Sequence, residues 1–233
     1  MKKILYDSEL GHITFLTNVR AMRYSIKIRN EAIVAVMPEN GSEQFMLALI
    51  NKNRDKLIRI LENESQRRLF LDESSEMQTH TFKLHIFRTD RNHVYVKLNE
   101  GVLHIACPQQ MDFKNEQTQQ LLKKLLIAAL RREANRVLPL RTHTLAVQHG
   151  FSCANVKIGK AKSRWGACNA KGVITLSLSL MLLPDHLIDY VLLHELCHTV
   201  EMNHGKRFWI LMNRVTDNRA LELRRELRNY QTL

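Results

Sequence analysis

HLIDYVLLHELCHTVE, residues 186–201, reads as one α-helix, and its composition sets the terms for the rest of the chain. Val191, Leu192, Leu193, Leu196, Cys197 and Val200 are nearly all apolar, which predicts a buried helix. Into that apolar run the sequence places His194, Glu195 and His198. Positions four apart on a helix differ by about 40° of rotation and about 6 Å of rise. Both imidazoles therefore leave from one face and can share one tetrahedral ion. Glu195, next to the first imidazole, is placed to hold a water activated by the metal rather than the metal itself, as general base in metal-assisted hydrolysis. His-Glu-x-x-His arises by chance in a chain of this make-up at about three in a hundred, so context has to support it. The context is burial: two histidines and a glutamate in an apolar helix need partners. One Zn2+ per chain supplies them.

A third ligand is needed, and His204 is the first choice. On a continued helix it would lie about 15 Å from His194 and off the face. It can bind only if the helix ends between His198 and His204. Asn203 and Gly205 offer left-handed tolerance for such an ending. The spacing equals that of the long metzincin motif, but the glycine of that turn is Glu201 here, so the metzincin class is not assigned. Glu201 is the rival third ligand.

Working outward, Pro184-Asp185 resembles a helix start with Asp185 as N-cap. Upstream lie two strand candidates, 154–159 and 173–180, the second after a turn at Lys171-Gly172. Before them, 116–137 has a leucine-rich face and is predicted to be helical, with Pro139 at or just past its end. Helical stretches at 206–215 and 218–230 close the chain. The N-terminal part alternates in short runs at 12–17, 22–28, 32–37, 80–87, 93–98 and 102–107, with a hairpin turn at Asn99-Glu100-Gly101. One helix interrupts it from Ser42, a plausible N-cap, to about Phe70. The expected fold class is α+β: a part over 111–233 that carries the His-Glu-x-x-His helix, preceded by a β-rich part with one long helix over 1–110.

Composition bounds the rest. In 233 residues, 35 Lys and Arg face 23 Asp and Glu, a formal charge of +12. That suits nucleic acid or another acidic partner, and equally a solvated basic surface. Arg219, Arg224, Arg225 and Arg228 concentrate it near the C-terminus. Cys107, Cys153, Cys168 and Cys197 form no CxxC pair, so a cysteine zinc site is not indicated; reduced thiols in a cytoplasmic protein are expected. Charges at Asp7 and Glu9 break any signal-peptide stretch, and no apolar run is long enough to span a bilayer, so no membrane association is expected. Oligomeric state is not set by the sequence.

Two stretches, SRWGACNAKGVITLSLSLMLLP (163–184) and IDYVLLHELCHTVEMNHGKRFW (188–209), resemble the YgjP-like metallopeptidase family, related to the SprT-like and WLM zincins. NVRAMRYSIKI (18–28) extends the likeness more weakly. Alanine at 167 departs from the serine frequent in that family. The resemblance implies a minimal zincin-like catalytic domain over 111–233, with His194, His198 and His204 as zinc ligands and Glu195 as the catalytic acid/base. It also implies that Arg164, Trp165, Gly166 and the strand at 173–180 border a cleft, where a strand can pair with an extended peptide. From residue type alone, Trp165 reads as packing before chemistry. Arg164 suits a substrate carboxylate, an oxyanion or an ordinary ion pair. The implied activity is hydrolysis of a peptide or protein. The alternatives are a non-peptide amide or ester as substrate, or a basic nucleic-acid-associated binding module with a non-catalytic zinc. Structural zinc sites usually use four protein ligands, often with Cys, so three histidines with an adjacent Glu favour an open, catalytic site.

Overall fold

The computed structural model describes residues 2–29, 32–66, 69–159 and 164–232. Ser163, which begins one of the two stretches quoted above, and residues 67–68, in the helix expected to run to Phe70, lie outside them. The chain forms two compact units, Met1–Leu69 and Phe70–Leu233. That division falls earlier than the boundary at 110 read from composition. Residues 70–110 join the second unit through long-range ties: His80 N–H donates to the Met181 carbonyl at 2.7 Å. The Gln119 side chain takes the Leu71 N–H and donates to its carbonyl.

In the first unit, β1 (Lys2–Asp7), β2 (Gly11–Thr17), β3 (Ser25–Arg29) and β4 (Ala32–Met37) form a sheet of order β1-β2-β4-β3. β2 and β4 run parallel, and the other two pairings are antiparallel. β1 is not legible in the sequence, where Lys2 and Lys3 hide a short apolar pair. Ile13, Phe15, Ile33, Ala35 and Met37 alternate inward and pack with Met46, Ile50 and Leu57 of the helices that follow. Those helices are α1 (Glu43–Lys52) and α2 (Arg54–Gln66). Ser42 caps the first, its hydroxyl accepting from Phe45 N–H. The expected single helix breaks at Asn53, whose N–H is shared between the Leu49 and Ile50 carbonyls. Arg54 reaches Asp7 with two hydrogen bonds, at 2.6 and 3.1 Å.

The second unit opens with β5 (Lys83–Thr89), β6 (Tyr95–Asn99) and β7 (Val102–Pro108), a sheet of order β5-β7-β6. Its hairpin turns on Glu100 and Gly101, both at positive φ. Then comes α3 (Glu116–His149), 34 residues that pass straight through Pro139. The expectation that Pro139 ends the helix fails for a reason visible on one face. Leu122, Leu126, Leu130, Ala134, Leu138, Thr142 and Ala146 recur every four residues and are all buried. Continuing that stripe outweighs the ~3 kcal/mol cost of an internal proline. The helix ends at Gly150 in the left-handed conformation.

β8 (Asn155–Gly159), β9 (Gly166–Cys168) and β10 (Val173–Ser177) form a second three-stranded sheet. β10 lies between the others, parallel to β8 and antiparallel to β9. The strand expected at 173–180 stops at Ser177, whose hydroxyl caps a 3-10 turn over Leu178–Leu182. α4 (Asp185–Cys197) follows, then α5 (Lys206–Val215) and α6 (Ala220–Leu227). Asp185 does not cap α4. Pro184 holds the cap position, and the Asp185 carboxylate is taken by Arg141 of α3. Arg141 also binds Asp189 at 2.6 Å, so two ion pairs fix the start of α4 against α3. No helix among the described residues is long and apolar enough to cross a membrane.

Candidate metal centre

α4 is buried on nearly every side, as its leucines and valine require: Leu187, Ile188, Val191, Leu192 and Leu196 are all at or below 3% exposure. His194 and Glu195 sit in its last turn, and His198 is the C-cap. The helix ends there without a left-handed residue, contrary to the expectation placed on Asn203 and Gly205; neither has positive φ. Tightening does the work instead. Thr199 and Val200 N–H groups reach back three residues, to Leu196 and Cys197, and the Thr199 hydroxyl donates to Leu196 as well. The chain then turns and brings His204 back over the end of α4, just before α5.

The result is three imidazoles at one point. The Nε2 atoms of His194, His198 and His204 are 3.2, 3.1 and 3.0 Å apart pairwise. Three nitrogens at such spacing cannot all pair by hydrogen bonds. They match the edges of a tetrahedral donor set at about 2.0–2.1 Å from a common ion. Burial, then the neighbouring imidazoles, pushes the pKa of His194 down to about 3, and burial lowers that of His204. His194 and His204 are thus biased toward the neutral form a metal needs. His198 Nδ1 lies 3.0 Å from the Glu201 carbonyl, which fixes its tautomer and leaves Nε2 as acceptor. Glu201 thus enters through its main chain. The described metal-competent cluster holds the three histidines and not its carboxylate.

Beneath the histidines lies Phe208, fully buried, its ring centroid 4.6–4.9 Å from all three imidazoles. It fixes their planes and closes the floor of the site. Sequence reasoning passed over it, although Phe208, Met212 and Val215 mark the buried stripe of α5.

Glu195 is 5% exposed, and its Oε2 has no hydrogen-bond partner among the described residues. Burial raises its pKa to about 7, with Arg164 opposing. A carboxyl raised by burial, with one oxygen unpartnered, suits proton exchange with a water held beside it. Its roof is β9. A Cβ on Gly166 would fall 2.6 Å from Glu195 Oε1, so only glycine lets the strand pass this close. β9 has just three residues, two of them small, and gave no strand signal.

Ser177 N–H bonds the Trp165 carbonyl, and Asn169 N–H bonds the Val173 carbonyl. With that register, the peptide groups of Gly166 and Cys168 face away from β10. β10, with neighbours on both sides, cannot accept another strand, contrary to the reading that placed peptide pairing at 173–180. Among the described residues β8 and β9 are the edge strands, and the edge beside Glu195 belongs to β9. Trp165 is half-buried and Arg164 exposed. The four cysteines are free; burial drives the Cys197 thiol up to about 12, so it stays protonated beside the site.

An α+β scaffold that converges three imidazoles beside a buried glutamate defines a metallopeptidase-type hydrolase. The chain belongs to the YgjP-like metallopeptidase family: the family model for the YgjP-like, metallopeptidase domain matches residues 22–230. Among solved structures, it is similar to the metallopeptidase zymogen of Pyrococcus abyssi abylysin, at 24% identity over 38% of this chain and 90% of that one, with a TM-score of 0.34. Comparison with curated proteins gives no match.

Proposed function

We propose that this protein is a zinc-dependent peptidase with Glu195 as general base. The observation that carries the reading is the convergence of three Nε2 atoms within 3.2 Å of one another beside a buried carboxylate whose Oε2 has no partner among the described residues. His194, His198 and His204 would hold the ion, leaving an open side at the exposed His204. Bound there, zinc supplies Lewis acidity, making water more acidic and a carbonyl more electrophilic. Glu195, buried beside the triad with its Oε2 unpartnered among the described residues, accepts the proton of the attacking water and returns it to the leaving nitrogen. The outward peptide groups of Gly166 and Cys168 bind the substrate as an added strand, which favours an extended peptide over a small ester or amide.

Metal analysis tests the ligand set. Purified protein is expected to carry about one zinc per chain. His204→Ala should lose most of it while Glu201→Ala keeps it. Full occupancy in His204→Ala with loss in Glu201→Ala would reverse the assignment.

A further inference from the structure

His204 is exposed, so the triad opens to solvent on its side. What flanks that opening is a stack of planar groups. The Trp209 ring lies 6.2 Å from the His204 ring at an interplanar angle of 30°. On Trp209 sits the Arg224 guanidinium, 5.1 Å from the ring centroid. α6 thus places a cation at the mouth of the site.

Arg224 has no carboxylate partner among the described residues. The two glutamates of α6 are engaged elsewhere. Glu222 pairs with Arg219, and Glu226 with His186. Arg224, Arg225 and Arg228 instead border a shallow cavity with Leu221. A stack on tryptophan orients a guanidinium but leaves its edge donors free. The matching ligand is a carboxylate, bound by two parallel N–H···O hydrogen bonds.

We infer that Arg224, held on Trp209 beside the triad, is a carboxylate-binding subsite that selects substrates with an acidic group near the cleaved bond. The stack spans about three residues of extended chain at about 3.3 Å each, so the acid lies within that reach. It is either an Asp or Glu side chain or the substrate's own C-terminus. This inference rests on the peptidase reading only for the identity of the substrate.

The test is binding rather than turnover, so the two proposals fail separately. Zinc-loaded Glu195→Gln protein is offered a hexapeptide library with free C-termini, its C-terminally amidated twin, and an amidated library in which one internal Glu is replaced by Gln. Bound peptides are measured by mass spectrometry. One class of acid should be enriched about tenfold over its neutral twin at low salt, the factor expected of a charge-assisted pair. Adding Arg224→Gln should bring the enrichment to unity, while Arg224→Lys keeps part of it. The arm that responds identifies the source of the carboxylate. No enrichment in either arm, or enrichment unchanged by Arg224→Gln, overturns the subsite. If enrichment depends on Arg224 but the wild-type protein cleaves none of these peptides, the subsite stands and the peptidase reading falls.

Discussion

The two units of the chain bury different things. Every buried residue described in the first unit is apolar, from Leu10 and Ile13 in the sheet to Leu57 in α2. The second unit buries Gln119, Glu133, Thr142, Ser177, Glu195 and His198 as well. Most of these polar groups are satisfied locally: Gln119 by Leu71 and Phe113, Glu133 by Arg136, Thr142 by the Leu138 carbonyl. His194 Nδ1 and Glu195 Oε2 are not. Buried polar atoms cost stability unless paired, and of the three unpaired ones among the described residues two lie at the metal centre, Thr81 Oγ1 being the third. The described core of the first unit is thus wholly apolar, whereas the second gives up some stability to hold its site.

That contrast can be broken most sharply at Glu195. Glu195→Gln should reduce kcat by about 10²–10⁴ against a verified substrate. Zinc content and melting temperature should stay close to wild type, since no ligand and no paired charge is removed. Wild-type turnover in a zinc-replete variant would end the catalytic assignment.

Next in size is Phe15→Ala, a large deletion in the first unit's core. It should cost about 3–5 kcal/mol in that unit, read as lost amide-exchange protection over residues 2–29 of the full chain. Zinc stoichiometry should hold. A loss of zinc equal to the loss of protection would show that the two units do not divide their roles in this way.

A smaller effect is expected from Gly166→Ala. The added methyl must displace the Glu195 carboxyl, since their separation would be 2.6 Å. Misplacing a reacting group by about 1 Å can cost about a hundredfold. A drop of about ten- to a hundredfold in kcat, with the zinc retained, is the expected reading; unchanged kcat would mean that the close approach has no bearing on the chemistry.

The smallest is acid sensitivity of the first unit. The Arg54 guanidinium holds the Asp7 carboxyl well below the usual carboxylate range. A depressed carboxylate adds stability above its unfolded pKa, about 3.9, and loses that contribution as pH falls through its folded value. Going from about pH 5 to about pH 2 should therefore remove no more than about 1 kcal/mol at this partly exposed pair. Asp7→Asn should flatten that part of the pH profile; a profile identical to wild type would remove the pair from the account.

How much of this was legible in the sequence follows the same line between local and long-range causes. The α4 helix, the α+β class and the candidate residues on residues 194–204 could be read from spacing, because helix geometry is local. The three-residue β9 could not, since its only support is pairing with β10 and contact with Glu195. The same holds for the passage of α3 through Pro139. Proline punctuation is a local signal, and the stripe from Leu122 to Ala146 that overrides it matters only once its partners are packed. The break at Asn53 and the role of Asp185 were misread for the converse reason: each residue suited a local motif that a tertiary partner took over.

The short spacing of the histidines also has a consequence for the order of events during folding. All three lie within residues 194–204, so bringing them together closes only small loops, a fast and inexpensive step. The roof over Glu195 is another matter: β9 must dock on α4 across the β10 hairpin, and the His80–Met181 tie must join residues about a hundred positions apart. A refolding chain should therefore capture zinc before it can cut anything. Stopped-flow refolding with a zinc indicator and a fluorogenic substrate should show uptake leading activity; simultaneous onset would mean that the ligands, too, wait for the roof.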